Sequence, residues 1–371
     1  MPDRDDVRLG CKRALSGHRQ RSARERLAAL ADSPLAVLPP DLYGEGEAIA
    51  ALEGEVAALL GKPAAAFMAK GVTAQQAALR AWTDRSGRRT VALHPKSHID
   101  LDERSAYERL HGLAGIRLGR DHAPYAAADL AGVAEGLGVA VVELPLRRAS
   151  FRLPEWDELV AISRWCRARS VPLHFDGARL WEAQPCYARS LDEIAALADS
   201  VYVSLYKGLD GLGGAVLAGP EDFIAEARVW QARHCGALVT AFPFVISAHD
   251  GLRRHLPRMG GYFERARSLA ASLARVPGAA VAPAPPHCNA FQLYLPAGAE
   301  ALKAAHLALA RMSGVWLFGR FADTALPGLA MAEIYIGDAA DDVGDDEVVE
   351  LVGRLVASAR EGRLVASARD G

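Results

Sequence analysis

The chain has 371 residues, of which 24% are charged and 51% are hydrophobic, a mixture typical of globular proteins. Its 43 Lys and Arg residues nearly balance its 45 Asp and Glu residues, so the net charge is -2. This balance argues against a nucleic-acid or acidic-membrane partner. No apolar run approaches the roughly 20 residues that span a bilayer, and residues 1–26 lack the apolar core of a signal peptide. We therefore expect a soluble cytoplasmic protein.

The first 40 residues are predicted to form an N-terminal arm, in which Arg21–Ala31 has the spacing of an amphipathic helix. A stronger helix is predicted over Glu47–Leu60, where apolar residues recur every three or four positions. Gly61 and Pro63 predict its end.

After this helix, short continuous apolar runs alternate with helical stretches. Continuous runs are typical of strands buried on both faces of a mainly parallel sheet. The predicted strands are Ala65–Ala69, Thr90–His94, Gly115–Leu118, Val139–Leu144, Val171–Asp176, Val201–Leu205 and Ala215–Ala218. The alternation predicts a large domain over residues 41–254 with a three-layer α/β/α architecture.

From residue 255 the pattern changes, and a smaller C-terminal α+β domain is predicted over residues 255–371. Its long helices are predicted at Met259–Arg275 and Asp345–Ala359. The short strands between them are predicted at Ala280–Ala282, Phe291–Leu295, Val315–Phe318 and Glu333–Ile336. The octapeptide beginning at Gly353 recurs from Gly362, which we interpret as a tandem duplication without a function.

Five cysteines are widely spaced along the chain, and none forms a C-x-x-C pair. They are Cys11, Cys166, Cys186, Cys235 and Cys288. This spacing predicts isolated reduced thiols, without a disulfide framework or a metal site.

One candidate catalytic segment surrounds Asp176. His174 and Asp176 are two positions apart in a predicted strand and therefore face the same side. Asp176 falls at the carboxyl end of that strand, where ligands bind in open α/β sheets. Arg179 follows and can offer a bidentate fork to a carboxylate. The alternative is an Asp176–Arg179 ion pair that only closes the loop.

A second segment carries Lys207, which follows the next strand and precedes a glycine-rich loop. A desolvated lysine has a lowered pKa and can form a Schiff base, although a surface lysine in a loop is the simpler alternative. Asp176 and Lys207 together are what pyridoxal 5'-phosphate (PLP) needs. The lysine holds the aldehyde as an imine, and the aspartate pairs with the protonated pyridine nitrogen.

Two further features fit the same cofactor. Lys70–Ala74, which includes Gly71, Val72 and Thr73, joins the first strand to a helix predicted over Thr73–Thr83. The backbone N–H groups at the start of that helix, with the Thr73 hydroxyl, could hold a phosphate. His98 follows a predicted strand, where its flat ring could stack on the cofactor. Each has an ordinary alternative when taken alone, a capped helix in the first case and a solvated loop histidine in the second.

Five stretches of this sequence resemble the threonine aldolase/β-eliminating lyase family of fold-type I PLP-dependent enzymes. They are Asp41-Leu-Tyr-Gly44 with Leu52-Glu-Gly-Glu55, the phosphate-loop segment Gly71–Leu79, the H-x4-E segment of His98 and Glu103, His174-Phe-Asp-Gly-Ala-Arg179-Leu-Trp, and Lys207-Gly208-Leu209. The resemblance covers roughly residues 40–255 well and the C-terminal domain weakly.

The resemblance implies a fold-type I PLP enzyme with a mainly parallel sheet and a smaller C-terminal domain. It implies that Lys207 forms the Schiff base with the cofactor. It implies that His98 stacks on the cofactor ring and acts as the catalytic base. It also implies that Arg179 binds both the cofactor and the carboxylate of the substrate. The implied cofactor-binding set also contains Asp176, Gly71, Val72, Thr73 and Ser204. The implied partners are an amino-acid substrate and further copies of the chain, in a homodimer or homotetramer with shared active sites.

The reaction that the resemblance implies is cleavage of the Cα–Cβ bond of a β-hydroxy-α-amino acid. Departures from the family pattern leave two alternatives open. Val72 replaces the usual threonine of the phosphate loop, and Ala332 or Glu333 replaces the C-terminal arginine that helps to hold the substrate. The alternatives are β-elimination, racemisation or another reaction with the same cofactor, and, more distantly, a non-catalytic α/β protein.

Overall fold

The computed structural model describes residues 4–367 and describes side chains as far as residue 361. It contains two compact units. One is Ser22–Met259, and the other combines the N-terminal segment up to Arg21 with the segment from Gly260 onward. The predicted division at residue 254 lies close to this boundary, but the predicted arm of residues 1–40 is shared between the units. A short strand in the arm pairs with a strand some 300 residues later, which no local pattern reveals.

The helices and strands are as follows. The helices are α1 (Arg4–Gly10), α2 (Ala23–Ala31), α3 (Glu47–Leu59), α4 (Gly71–Ser86), α5 (His98–Leu101), α6 (Ala106–His111), α7 (Ala127–Ala131), α8 (Trp156–Ala168), α9 (Leu180–Tyr187), α10 (Leu191–Ala195), α11 (Glu221–Arg233), α12 (Phe242–His255), α13 (Met259–Leu273), α14 (Ala299–Ser313) and α15 (Asp345–Ser367). The strands are β1 (Arg13–Ala14), β2 (Ala64–Met68), β3 (Thr90–Leu93), β4 (Ala114–Arg117), β5 (Val139–Glu143), β6 (Leu173–Gly177), β7 (Ser200–Ser204), β8 (Ala215–Gly219), β9 (Ala280–Ala282), β10 (Ala290–Leu295), β11 (Val315–Trp316), β12 (Ala322–Asp323) and β13 (Ala330–Tyr335).

The larger unit is built on a seven-stranded sheet in the order β2-β8-β7-β6-β5-β3-β4. The pairs from β7 to β4 are parallel, and β8 runs antiparallel to both of its neighbours. All seven predicted strands are present, each shifted by two residues or fewer. Every residue of β6, β7 and β8 is buried, which explains why these strands read as continuous apolar runs.

Helices α4 and α11 pack together and cover one face of this sheet. Trp82 and Phe223 stack there with ring centroids 4.4 Å apart. Packing of this kind holds α4 against β7 and β8. The start of α4 is thereby fixed beside the carboxyl ends of the parallel strands, the edge at which ligands bind in such sheets.

The smaller unit contains a four-stranded antiparallel sheet in the order β12-β13-β10-β9, and β1 pairs in parallel with β11. The predicted strand Val315–Phe318 ends at Trp316, because the N–H groups of Leu317 and Phe318 donate to the ring of His306. The final helix extends past the predicted end into the second copy of the duplicated octapeptide, whose last residues lie outside the described range. Among the described residues, no helix is both long and apolar enough to cross a membrane.

Candidate active site

Three neighbouring parallel strands bring polar side chains to one edge of the large sheet. Glu143 ends β5 and stands opposite Asp176 of β6 in the register, and Asp176 stands opposite Tyr202 of β7. Ser204 ends β7 and is fully buried. Because the carboxyl ends of parallel strands lie at the same edge of a sheet, the pairing of these strands brings the three polar side chains close together.

Asp176 is 1% exposed, and its two carboxylate oxygens differ. Oδ1 accepts the N–H of Ala178 at 3.2 Å. Oδ2 is buried and has no hydrogen-bond partner in the described part of the chain. A buried carboxylate oxygen is stable only when something donates to it, and a charged N–H such as a protonated pyridine nitrogen would satisfy it.

The simpler alternative for this segment, an ion pair between Asp176 and Arg179, is not what the structure shows. Arg179 Nη1 donates instead to Glu182 Oε1 at 3.3 Å. Glu182 is completely buried in α9, and its carboxylate lies so close to Gly208 that a Cβ there would meet Oε1 at 2.5 Å. Glu182 thus connects Arg179 to the loop that carries Lys207.

Lys207 lies three residues beyond the end of β7 and is partly buried. Burial and the nearby charge of Arg179 lower its pKa, against the opposing effects of Asp176, Glu143 and Glu182. The amine is therefore held closer to its neutral form than a surface lysine would be, which is the state that attacks an aldehyde.

His98 is the first residue of α5, which Ser97 caps. Its Nδ1 lies 3.2 Å from Glu103 Oε1, and the other oxygen of Glu103 accepts a hydrogen bond from Gln76 at 2.7 Å. Burial alone would lower the pKa of His98, but the hydrogen bond to Glu103 and the charge of Asp176 outweigh it, so the pKa is raised. The two residues of the H-x4-E segment, His98 and Glu103, are thus in direct contact through their side chains.

The sequence pattern predicts no role for Glu143 in the site. Its Oε2 accepts the backbone N–H of His98 at 2.8 Å, and its Oε1 accepts the N–H of Arg147 at 3.1 Å. Burial and the charge of Asp176 raise the pKa of Glu143 to about 7, despite these two donors. A carboxylate at the end of an otherwise apolar strand was the available signal, and it is the same signal that identified Asp176.

The beginning of α4 carries the three predicted phosphate ligands, Gly71, Val72 and Thr73. The first N–H groups of a helix have no partner within it and attract anions. Gly71 is in close contact with Tyr202, since a Cβ at this position would lie 2.0 Å from the Tyr202 hydroxyl. Because Tyr202 is itself buried, a side chain at position 71 has no room, and a glycine fits here.

His174, which shares a strand face with Asp176, does not take part in the site. Its ring is fully buried, with Nδ1 2.8 Å from Ser200 Oγ and Nε2 2.7 Å from Gln75 Oε1. Burial lowers its pKa to about 3, so the ring is neutral and serves as a bridge between β7 and α4.

Comparison with known proteins gives one family match and several relatives. A family model described as beta-eliminating lyase matches residues 36–294. A solved structure assigned as an L-allo-threonine aldolase, from Listeria monocytogenes EGD-E, is 34% identical with a TM-score of 0.90, over 95% of this chain and 98% of its own. Aldolase vrtJ of Penicillium aethiopicum is 29% identical, over 68% of this chain and 66% of its own length. The low-specificity L-threonine aldolase of Candida albicans is 28% identical, over 53% of this chain and 54% of its own.

The match to these curated relatives spans between half and two thirds of their length. Similarity to solved structures extends over nearly the whole chain and confirms the predicted fold class, that of fold-type I PLP-dependent enzymes.

Proposed function

This chain belongs to the beta-eliminating lyase family, and from that membership and its site we propose that it is a PLP-dependent lyase cleaving the Cα–Cβ bond of a β-hydroxy-α-amino acid. The products would be glycine and an aldehyde. One observation carries the proposal: a buried aspartate with an unsatisfied oxygen, at the carboxyl end of β6, and a lysine of lowered pKa, just beyond the carboxyl end of the neighbouring β7, stand at one sheet edge. A small-molecule substrate and a cytoplasmic location accord with this function.

The residues present fit the cofactor. Lys207 would hold its aldehyde, Asp176 Oδ2 its ring nitrogen, and the N–H groups of Gly71, Val72 and Thr73 its phosphate. We assign His98, Ser204 and Arg179 to the same pocket from the family resemblance. When bound, the cofactor supplies an electron sink for the pair left by the broken bond.

His98 is the proposed general base. If Nδ1 donates its proton to Glu103, Nε2 remains unprotonated and can accept the proton of the substrate's β-hydroxyl. Gln76 holds the other oxygen of Glu103, so the imidazole is oriented by a chain of two contacts. Glu143 adds a third constraint by accepting the backbone N–H of His98.

Arg179 is the proposed ligand of the substrate carboxylate, oriented by Glu182. By the family resemblance, Ala332 or Glu333 of β13 stands at the position of the family's second arginine. Without a second arginine to bind its carboxylate, a small substrate would bind about 10- to 150-fold more weakly. We therefore expect a larger, apolar β-substituent to supply affinity, so that phenylserine is cleaved more efficiently than threonine. A higher kcat/KM for threonine than for every bulkier analogue would refute this expectation.

The same departure supports a second candidate function. A substrate held by a single arginine could present a different bond for cleavage, so β-elimination or racemisation with the same cofactor remains the alternative. A product screen separates the two, because only the aldolase reaction releases glycine together with an aldehyde.

The decisive experiment combines a spectrum with that screen. The purified protein, supplied with PLP, should be yellow and should release glycine from threonine or phenylserine. Lys207→Ala should lose both properties, whereas Lys12→Ala, at an exposed lysine, should keep them. A colourless wild-type protein that takes up no PLP would overturn the proposal.

A further inference from the structure

The smaller unit contains a cavity of about 440 Å³ that the proposed reaction does not use. Its walls come from α1, from one side of α14 and from the segment that follows β11. The lining residues on which the argument depends are Arg4, Lys303, His306, Trp316, Arg320 and Phe321. None of the candidate active-site residues is among them. Its volume falls within the range of pockets that bind small organic ligands.

Aromatic rings form much of the cavity wall. The ring of His306 meets that of Trp316 edge to face, with centroids 4.5 Å apart, and Phe321 at 5.7 Å. Phe318 and Phe321 meet edge to face at 5.3 Å. Trp316 and Phe318 are only 5% and 1% exposed, whereas Phe321 is partly exposed, so Phe321 is the ring best placed to contact a planar apolar ligand.

His306 adds a fixed polar group to this wall. It is 3% exposed, and its Nε2 accepts the N–H groups of Leu317 and Phe318, both at 3.2 Å. Burial and the charge of Arg4 lower its pKa to about 4, so the ring is neutral near pH 7. The single ring proton is therefore on Nδ1, which has no hydrogen-bond acceptor in the described part of the chain. His306 thus offers the cavity a donor without a charge.

Ion pairs among the charged side chains around the cavity leave one of them, Arg320, without a counter-charge in the described part of the chain. Lys303 pairs with Glu300 at 3.6 Å, and Arg4 pairs with Asp5 at 3.5 Å and lies over the Trp316 ring. Arg320 is exposed and has no ion-pair partner among the residues that the structure describes. One available guanidinium and one neutral donor suit a group with a single negative charge and two acceptor oxygens.

We propose that this cavity is a binding site for a small aromatic carboxylate. The ring of the ligand packs against Phe321, and its carboxylate accepts hydrogen bonds from Arg320 and from His306 Nδ1. The proposal uses only residues of the smaller unit and does not depend on the proposed catalytic function.

The test is calorimetric titration of the PLP-loaded protein with 3-phenylpropanoate, which has no amino group and so cannot react at the cofactor. The alcohol 3-phenylpropan-1-ol is the uncharged control. We expect the carboxylate to bind with a Kd of roughly millimolar strength, as a ligand of this size allows. The alcohol should bind at least tenfold more weakly.

Two variants then locate the binding site. Arg320→Gln, at an exposed position, should fold normally and weaken 3-phenylpropanoate about tenfold, whereas Arg179→Gln should leave its affinity unchanged. Absence of binding, equal binding of the alcohol, or unchanged affinity in Arg320→Gln would each overturn the proposal. Loss of binding in Arg179→Gln alone would place the ligand in the candidate active site and would also overturn it.

Discussion

At the scale of single residues, the unsatisfied oxygen of Asp176 gives the sharpest prediction. Asp176→Asn keeps the shape of the side chain but removes the charge that would stabilise a protonated pyridine ring. We expect cofactor binding to persist while turnover falls by orders of magnitude. Visible absorbance measures the first quantity and glycine release the second. Near-wild-type turnover in Asp176→Asn would show that this carboxylate is structural.

The contact between His98 and Glu103 predicts a change in pH dependence. A base must be unprotonated, so a raised pKa of His98 means that activity is lost as the pH falls through that pKa. Glu103→Gln removes the carboxylate charge, lowers the pKa of His98 and should move the acid limb of the kcat/KM profile to lower pH. Glu135→Gln, at an exposed glutamate, is the control and should leave the profile in place. An unmoved acid limb in Glu103→Gln would exclude His98 as the titrating base.

At the scale of secondary-structure elements, helix α12 depends on a carboxylate from a distant part of the chain. Asp41 is 3% exposed, and its Oδ1 accepts the N–H groups of Ala241 and Phe242 at 2.8 and 2.7 Å. Asp41→Ala would leave both donors without a partner at the start of the helix. We expect a loss of about 1–3 kcal/mol in the free energy of unfolding, measured with urea.

The control for this prediction lies four residues away. Glu45 is exposed in the same segment, and Glu45→Ala should change the free energy of unfolding by less than about 0.5 kcal/mol. Equal stability of the two alanine variants would mean that Asp41 does not hold α12. The Asp41-Leu-Tyr-Gly44 motif, noticed for its family resemblance, therefore also has a local structural reason.

At the scale of the whole molecule, we predict a homodimer or homotetramer. The family resemblance implies that Leu42–Glu47 and the segment around Arg233 reach the active site of a neighbouring copy. Leu42 and Tyr43 of the first segment are 60% and 62% exposed, and Val239, a short way beyond Arg233, is 56% exposed. The backbone N–H of Tyr43 donates to the carbonyl of Val239 at 2.9 Å, so the two segments form one surface. Contiguous exposed apolar groups of this kind mark interaction sites.

A charge placed on that surface tests the assembly. Val239→Asp should shift sedimentation toward a smaller species and reduce activity, because a buried unpaired carboxylate is costly at an interface. Leu110→Asp, at an apolar side chain that is 66% exposed on α6, should sediment like the wild type. A wild-type protein that sediments as a fully active monomer would contradict the prediction.

The positions of Asp176 and Lys207 could be predicted from the sequence alone, for a physical reason. Short continuous apolar runs identify buried parallel strands, and the residues that follow such strands meet at one edge of the sheet. The helix predicted from Thr73 begins two residues earlier, at Gly71, so the segment Gly71–Thr73 lies at the start of α4. Burial of these elements then follows from their apolar composition.

Only the tertiary structure determined which other charged side chains lie beside Asp176 and Lys207 in the candidate active site. Glu143 enters the site because β5 pairs with β6 in a register that sets it opposite Asp176, and Glu182 enters because α9 brings it against Gly208. The pairing of β1 with β11, which divides the N-terminal arm, and the cavity around His306 likewise depend on residues far apart in the chain. Local patterns determine which elements form, whereas the register and long-range packing between them determine which side chains meet.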